Sequence, residues 1–217
     1  MSVITIERKV LEKNDAIAQE LRSLFHEKKI FAINLLSSPG SGKTSLVERT
    51  IDRLKAKIRI AVIEGDLQTD LDARRIHALH IPVVQIVTNG ACHLEAGLVR
   101  DAYFRLEQDN IDLLIIENVG NLVCPAGFDL GEDVKVVILS TTEGDDKPLK
   151  YPAMIRNASL LVINKIDLIP YVNCSVETLR KNAMEINPAL QIIETSCTSG
   201  AGISDWAGWL QSQFTAT

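Results

Sequence analysis

A glycine-rich segment that directly follows an apolar run is the feature of this sequence that most constrains its fold. It reads Ser37-Ser38-Pro39-Gly40-Ser41-Gly42-Lys43-Thr44. It matches the phosphate-binding pattern G-x-x-x-x-G-K-[ST], except that Ser37 replaces the first glycine. In this pattern glycines let backbone N–H groups face the phosphates, the lysine reaches the outer phosphates, and the last hydroxyl can hold magnesium. The sequence therefore predicts a nucleotide-binding loop between a strand and a helix, with contacts from Pro39, Gly40, Ser41, Gly42, Lys43, Thr44 and Ser45.

The rest of the chain alternates apolar runs with segments of helical periodicity. Strands are predicted at 30–36, 58–63, 83–87, 113–116, 134–139, 160–163 and 190–194. Helices are predicted at 10–29, 42–56, 70–79, 94–107, 176–185 and 203–214. Runs that are apolar throughout are typical of parallel strands covered on both faces. We therefore expect an α/β fold of the P-loop NTPase type, with a mostly parallel, doubly wound sheet flanked by helices.

Composition and charge narrow the class of protein. The chain has 217 residues, of which 46% are hydrophobic and 24% charged, so we expect one domain over 1–217, with 1–29 as an N-terminal helical appendage packed on it. The net charge of -5, without a basic run, argues against nucleic acid or an anionic membrane as partner. No signal pattern or membrane-length apolar run is present, which favours a cytoplasmic protein with reduced thiols.

A second motif follows the run at 160–163. The residues Asn164-Lys165-Ile166-Asp167 resemble the N-K-x-D motif with which GTPases bind guanine. A carboxylate at Asp167 can accept hydrogen bonds from the ring N–H and the exocyclic amine of guanine, and adenine offers no such pair of donors. After the last predicted strand, Ser196 and Cys197 occupy the place where GTPases contact the base through the backbone. These positions predict guanine specificity.

Acidic residues follow the second and fourth predicted strands. Because ligands bind beyond the carboxyl ends of strands in such sheets, Asp66 and Glu117 are expected to hold magnesium together with Thr44. Asp72 is placed to orient the attacking water, so the catalytic residues are predicted to be Lys43, Asp66 and Asp72. The alternative for Asp72 is a solvated or helix-capping acid.

Two thiols and an imidazole are expected near the same edge of the sheet. Cys92 and His93 follow the third predicted strand, and Cys124 follows the fourth. Such ligands suit zinc, nickel or copper, with an open position or completion by a second chain. On spacing alone the alternative, buried thiols beside a loop histidine, stays open. Cys174 and Cys197 are interpreted as structural thiols.

Taken together, these segments resemble the HypB family, the nickel-insertion GTPases of [NiFe]-hydrogenase maturation, from about position 10 to about position 202. The run from 117 to 125, Glu-Asn-Val-Gly-Asn-Leu-Val-Cys-Pro, is the most specific part, because generic GTPases have no reason to carry a thiol there. The other matching segments are 34–44, 64–66 with Thr69, Asp72, Ala73 and Arg74, 92–94, 143–152 and 164–167.

The resemblance implies a slow, magnesium-dependent GTPase that dimerises when GTP is bound. It implies nickel or zinc binding by Cys92, His93 and Cys124, and work with the hydrogenase large-subunit precursor and other maturation proteins. Lys147 matches a lysine that the family is thought to use near the nucleotide or across the dimer.

One departure concerns the N-terminal region, which lacks the cysteine motif or histidine-rich stretch of many members, so an extra nickel site there is not expected. The rival hypotheses are a urease-accessory GTPase of the UreG type or another P-loop GTPase serving a different metalloenzyme, an ATP-dependent small-molecule kinase, and a metal-storage protein. The physiological metal and the resting oligomer stay open.

Overall fold

The computed structural model of the protein describes residues 6–68, 71–106 and 110–215. Within these residues seven strands form one sheet in the order β3-β2-β4-β1-β5-β6-β7, and all neighbouring strands are parallel. The strands are β1 (Phe31–Ser37), β2 (Ile60–Asp66), β3 (Val83–Val87), β4 (Leu113–Glu117), β5 (Val134–Ser140), β6 (Leu160–Asn164) and β7 (Gln191–Glu194). The α-helices are α1 (Ile6–Glu27), α2 (Lys43–Leu54), α3 (Leu71–His77), α4 (Ala96–Tyr103), α5 (Lys147–Lys150), α6 (Pro152–Arg156), α7 (Val176–Ile186) and α8 (Ile203–Thr215).

The predicted fold class is confirmed, and each predicted strand has a counterpart within three residues of its expected ends, the largest difference being the end of β2 at position 66 instead of 63. The helices differ more. The segment predicted as helix 94–107 is helical only at Ala96–Tyr103, and positions 107–109 lie outside the described residues. α3 ends at His77 because the chain turns at His80, whose φ is +61°. The short helices α5 and α6 were not predicted.

Helices cover both faces of the sheet. On one face α2 and α8 pack against alternate residues of the central strands, and Trp206 of α8 is fully buried there. On the other face α1 and α4 cover one half of the sheet, and α6 and α7 cover the other half. This two-sided burial explains why the inner strands are largely apolar. No helix among the described residues has the length and apolar character needed to cross a membrane.

The N-terminal helix α1 packs on the sheet and on α4. Leu21 and Phe25 are buried, and the ring of Phe25 meets that of Tyr103 on α4 edge to face at 5.1 Å. Gly131 lies so close that an added Cβ would stand 2.6 Å from Cβ of Leu21. The predicted helix over 10–29 is therefore present, as part of the layer that covers the sheet.

The carboxyl ends of β1, β2 and β4 meet at one edge of the sheet. Glu64 pairs in register with Glu117, and Glu117 with Leu35. The predicted phosphate loop follows β1, Asp66 and Glu117 are the last residues of β2 and β4, and Cys124 lies beyond β4, while Cys92 and His93 follow the neighbouring strand β3. The topology therefore brings the predicted chemistry to one place.

Candidate nucleotide and metal site

The phosphate loop curls between β1 and α2 as its glycines require. Gly40 and Gly42 have φ of +75° and +102°, a region that side chains rarely enter. A Cβ at Gly42 would lie 2.4 Å from Nδ2 of Asn164. That amide donates to the carbonyl oxygen of Ser41 at 2.9 Å, and Nζ of Lys165 donates to the carbonyl oxygen of Gly40 at 2.6 Å. These two hydrogen bonds therefore join the phosphate loop to the N-K-x-D segment, although Ser41 and Asn164 are 123 residues apart in the sequence.

Ser37, the departure from the phosphate-binding pattern, contacts the lysine of the loop. Nζ of Lys43 donates to Oγ of Ser37 at 2.9 Å, and both residues are buried. Next to it, the hydroxyl of Ser38 donates to Glu143, whose other oxygen accepts from the backbone N–H of Ser140 at 2.9 Å. The serines thus tie the loop to its own lysine and to the end of β5.

Two buried glutamates face each other beside the phosphate loop. Glu64 and Glu117 are only 1% and 3% exposed, and Oγ1 of Thr44 donates to Oε1 of Glu117 at 2.9 Å. Oε1 of Glu64 and Oε2 of Glu117 have no protein hydrogen-bond partner. Burial, followed by the charge of Glu117, raises the pKa of Glu64 to about 11, and burial also raises the pKa of Glu117. Orphaned carboxylate oxygens next to a threonine hydroxyl fit a hard divalent cation.

Glu64 was not among the residues predicted from the sequence, although an acidic residue at the end of an apolar run was a visible signal. The predicted strand stopped at position 63, so Glu64 was assigned to a loop, whereas it lies inside β2. Arg75 was also missed. Its guanidinium binds the carboxylates of Glu48 and Asp72 and reaches Oγ of Ser45 at 3.4 Å, and so joins α3 to α2.

A cleft of about 400 Å³ opens between the phosphate loop and these carboxylates. Most of the predicted phosphate and magnesium residues line it, together with Glu64 and Arg75. The predicted residues on its wall are Pro39, Gly40, Gly42, Lys43, Thr44, Ser45, Asp66, Asp72, Glu117 and Lys165. Asp72 lies at the rim, with its Oδ1 accepting from Nη1 of Arg75 at 2.9 Å. Thr69, which belongs to the segment that matches the family, and position 70 lie outside the described residues.

The predicted guanine-binding residues lie together beyond β6 and β7. Lys165 has φ of +62°, which turns the chain after Asn164. Oδ1 of Asn164 accepts from Oγ1 of Thr195 at 3.1 Å and from Sγ of Cys197 at 3.6 Å. One carboxylate oxygen of Asp167 is buried without a hydrogen-bond partner. A carboxylate left with an unused acceptor is what the N-K-x-D chemistry requires.

The three remaining residues that were predicted to contact the nucleotide, Ser196, Cys197 and Lys147, do not lie in one place. Ser196 is fully buried, and its Oγ accepts from the backbone N–H of Ser199 at 3.0 Å. The carbonyl oxygen of Cys197 accepts from Nε of Arg49 at 2.8 Å. Lys147 begins α5 with its ammonium 5.6 Å from the ring centroid of Tyr151, and it does not line the cleft.

The predicted thiol–imidazole cluster is assembled. One ligand atom from each of Cys92, His93 and Cys124 lies within 4.8 Å of the other two, and Sγ of Cys92 is 3.7 Å from Nδ1 of His93. Cys124 begins a short 3₁₀ turn, Cys124–Gly127, and the ring of Phe128 lies against that of His93 with the centroids 3.9 Å apart and the planes tilted by 33°. These contacts bring together the loops that follow β3 and β4.

The electrostatics of the cluster suit a metal ligand set. Burial lowers the pKa of His93 and so favours the neutral imidazole, which is the form that binds metals. The neighbouring thiol of Cys124 is the main cause that raises the pKa of Cys92. Two thiols and a neutral imidazole are a three-ligand set that suits zinc or nickel and leaves a coordination position open.

The parallel sheet, the phosphate loop held by the N-K-x-D segment and the paired glutamates define this chain as a P-loop GTPase. Residues 31–194 match the family model described as CobW/HypB/UreG, nucleotide-binding domain. The chain is 51% identical over 211 residues to hydrogenase maturation factor HypB of Escherichia coli K12, covering 97% of this chain and 73% of that protein. It belongs to the HypB family of hydrogenase maturation factors.

Two solved structures of the same family have the same architecture. HypB from Helicobacter pylori, crystallised in complex with nickel, superposes with a TM-score of 0.89 at 36% identity over 94% of this chain and 96% of that chain. HypB from Archaeoglobus fulgidus gives a TM-score of 0.87 at 39% identity over 94% of this chain and 100% of that chain. The resemblance stated from the sequence motifs is confirmed at the level of family and fold.

Proposed function

We propose that this chain is a GTP-hydrolysing metallochaperone that binds nickel or zinc and supports nickel insertion into a [NiFe]-hydrogenase large-subunit precursor. The observation that carries the proposal is the assembled cluster of Cys92, His93 and Cys124 at the nucleotide-binding edge of the sheet. It is supported by the membership of the HypB family and by the nickel complex of the Helicobacter pylori relative. We place this activity in the cytoplasm, in a single domain spanning 1–217.

In the proposed GTPase reaction, the phosphate loop from Pro39 to Ser45 holds the phosphates through backbone N–H groups and Lys43. Magnesium, bound by Thr44, Asp66 and Glu117, would neutralise part of the phosphate charge. Asp72 orients the attacking water from the rim of the cleft. Turnover by one chain alone is expected to be slow, as in other GTPase switches.

The base is recognised outside this cleft in the proposal, by residues that follow β6 and β7. Asp167 accepts from the two N–H donors of guanine, using the oxygen that has no partner in the protein. Asn164 and Lys165 hold the phosphate loop against the nucleotide, and the backbone at Ser196 and Cys197 contacts the base. GTP would then be favoured over ATP by hydrogen-bonding chemistry.

We infer that GTP binding brings two copies of the chain together. The three-ligand cluster leaves a coordination position that a second chain can complete. Lys147, which does not reach the cleft of its own chain, is assigned to a contact with the nucleotide or across this dimer. Nickel is the cargo in this scheme and is handed on to the hydrogenase precursor with the help of other maturation proteins.

A metal titration with nucleotide controls tests the proposal. Nickel and zinc are titrated into the wild type, the double variant Cys92→Ser/Cys124→Ser and the matched control Cys174→Ser, each with GDP and with a non-hydrolysable GTP analogue, while the mass in solution is recorded. We expect stoichiometric binding to be lost only in the double variant, and dimers to form only with the analogue. Metal that stays bound without both thiols would overturn the cluster assignment.

The client enzyme needs a separate experiment, since the family model itself spans HypB and UreG. The nickel-loaded chain is used to capture apoprotein from defined mixtures of hydrogenase precursor and urease apoprotein. We expect the hydrogenase precursor to be retained. Retention of urease apoprotein instead would assign the chain to the urease-accessory alternative.

A further inference from the structure

One buried leucine lies between the nucleotide cleft and the metal cluster. Leu94 directly follows His93, and its side chain is fully buried. A Cβ added at Gly65 would stand 2.9 Å from three carbon atoms of this side chain. Leu94 therefore packs on the bare backbone of β2 between Glu64 and Asp66, which both line the cleft.

The backbone of Leu94 is held by the neighbouring strand as well. Its N–H donates to Oδ1 of Asn118 at 3.1 Å, and Asn118 directly follows Glu117. The side chain of Asn118 is fully buried, and its Nδ2 donates to Oδ1 of Asn34 at 3.3 Å, which fixes its orientation. Glu117, whose carboxylate accepts from the hydroxyl of Thr44, is thus the immediate neighbour of Asn118, whose side-chain amide holds the loop of the metal ligands.

A second asparagine holds the same loop from the opposite side. Oδ1 of Asn14, on α1, accepts from the N–H of Ala96 at 2.8 Å, and its Nδ2 donates to the carbonyl oxygen of Asp129 at 2.8 Å. Asn14 is buried but does not line the nucleotide cleft. The loop that carries Cys92 and His93 is therefore anchored twice, once by the nucleotide-binding strand and once by α1.

We propose that Asn118 is the positioning residue through which nucleotide binding changes the metal affinity of the Cys92–His93–Cys124 cluster. The proposal rests on the proposed function, because it requires nucleotide and metal to bind at these two sites. A shift of Glu117 toward or away from the nucleotide moves Asn118 with the chain. The hydrogen bond passes this shift to Leu94, and hence to His93 relative to Cys124. By linkage, a bound metal ion must change the ratio of GTP affinity to GDP affinity by the same factor by which the nucleotide changes the metal affinity.

The first test compares two variants that each remove one anchor. Zinc affinity is measured by competition with a chromophoric chelator, in GDP with magnesium and in a GTP analogue with magnesium, and GDP binding serves as the folding control. For the wild type we expect the two zinc affinities to differ by about tenfold, a typical coupling. Asn14→Ala should weaken zinc binding in both states and keep this ratio. Asn118→Ala should reduce the ratio to less than about twofold.

A ratio that persists in Asn118→Ala overturns the proposal, and so does a wild-type ratio of one. In the latter case the proposed function still stands if the wild type binds zinc through the cluster and hydrolyses GTP. If it does neither, the proposed function fails first.

A second test needs no variant and remains valid if Asn118→Ala does not fold. Amide hydrogen exchange of the wild type is followed by NMR at Leu94, whose N–H is bound to Asn118, and at Ala96, whose N–H is bound to Asn14. We expect the exchange rate of Leu94 to differ severalfold between GDP and the GTP analogue, and that of Ala96 to stay the same. Equal behaviour of the two amides would contradict the assignment.

Discussion

Gly42 is the residue at which the phosphate loop and the guanine-binding segment come closest. Gly42→Ala combines a left-handed φ with a Cβ placed 2.4 Å from the Asn164 amide, so we expect the nucleotide-free protein to lose at least about 2 kcal/mol of unfolding free energy. Gly40→Ala has a left-handed φ but open space around the new Cβ, and should cost only about 1 kcal/mol. Urea unfolding of both variants checks the difference, and equal losses would show that φ alone matters.

Asp167 carries the predicted preference for guanine. Asp167→Asn replaces an acceptor by a donor opposite the N–H groups of guanine, so GDP affinity should fall by roughly 10²-fold while xanthosine diphosphate gains. Competition against a fluorescent nucleotide measures both affinities. The exposed Asp52→Asn on α2 is the control, and it should change neither. Unchanged GDP binding in Asp167→Asn would reject the guanine assignment.

At the residue scale, a functional residue could be predicted when the residues with which it acts lie close to it in the sequence. Lys43 and Asp167 were found because each belongs to a short contiguous motif. The predicted sheet topology brought Cys92, His93 and Cys124 to one edge, but their spacing left buried thiols as an alternative, and the family resemblance was needed to favour a ligand set. Glu64 and Arg75 were missed because their role arises from partners on other elements, Glu117 on β4 and Glu48 on α2.

At the scale of elements, the contact of α8 with α2 contains a buried polar pair. Nε1 of Trp206 donates to Oγ1 of Thr50 at 2.8 Å, and both residues are almost fully buried. Trp206→Phe leaves a cavity and removes this hydrogen bond, so we expect a loss of about 2 kcal/mol in the free energy of unfolding. Trp209→Phe, on the same helix but partly exposed, should lose less than about 1 kcal/mol. Urea midpoints compare them, and similar losses would mean that the Trp206 contact contributes little.

The strands were more predictable than the helices for a physical reason. The five inner strands are mostly buried on both faces, so their sequences are largely apolar and can be recognised as short runs without knowledge of their neighbours. α5 and α6 are four and five residues long, and proline stands near the start of each, so they have no amphipathic period to detect. They are stabilised by packing, as shown by buried Met154 and Ile155 of α6 against the sheet.

At the scale of the whole molecule, the glutamate pair makes stability depend on pH. The folded-state pKa of Glu64 is about 11, above its usual value, so the native state retains a proton that the unfolded chain releases. The stability from this group is present below about pH 4.5 and is lost as pH rises. Between pH 7 and 8.5 the free energy of unfolding of the nucleotide-free protein should fall by up to about 1.4 kcal/mol per pH unit.

Urea unfolding across this pH range, without nucleotide or magnesium, measures the slope. The range avoids the effect of His93, whose lowered pKa acts at lower pH. Glu64→Gln keeps the shape without the titrating group and should make the slope shallower without abolishing it, because the pKa of Glu117 is raised as well, while the exposed Glu177→Gln should leave it unchanged. A slope that is the same in Glu64→Gln as in the wild type would assign the pH dependence to other groups.

The mutual support of the two nucleotide-binding motifs has a consequence for synthesis on the ribosome. The amide that holds the phosphate loop at Ser41 belongs to Asn164, which is added 123 residues later. At about 5–20 residues per second, this interval lasts roughly 6 to 25 seconds. A nascent chain that ends before β6 has its phosphate loop but not the contact that shapes it. If the phosphate loop needs this contact to bind GTP, we expect binding to begin only after β6 has been translated.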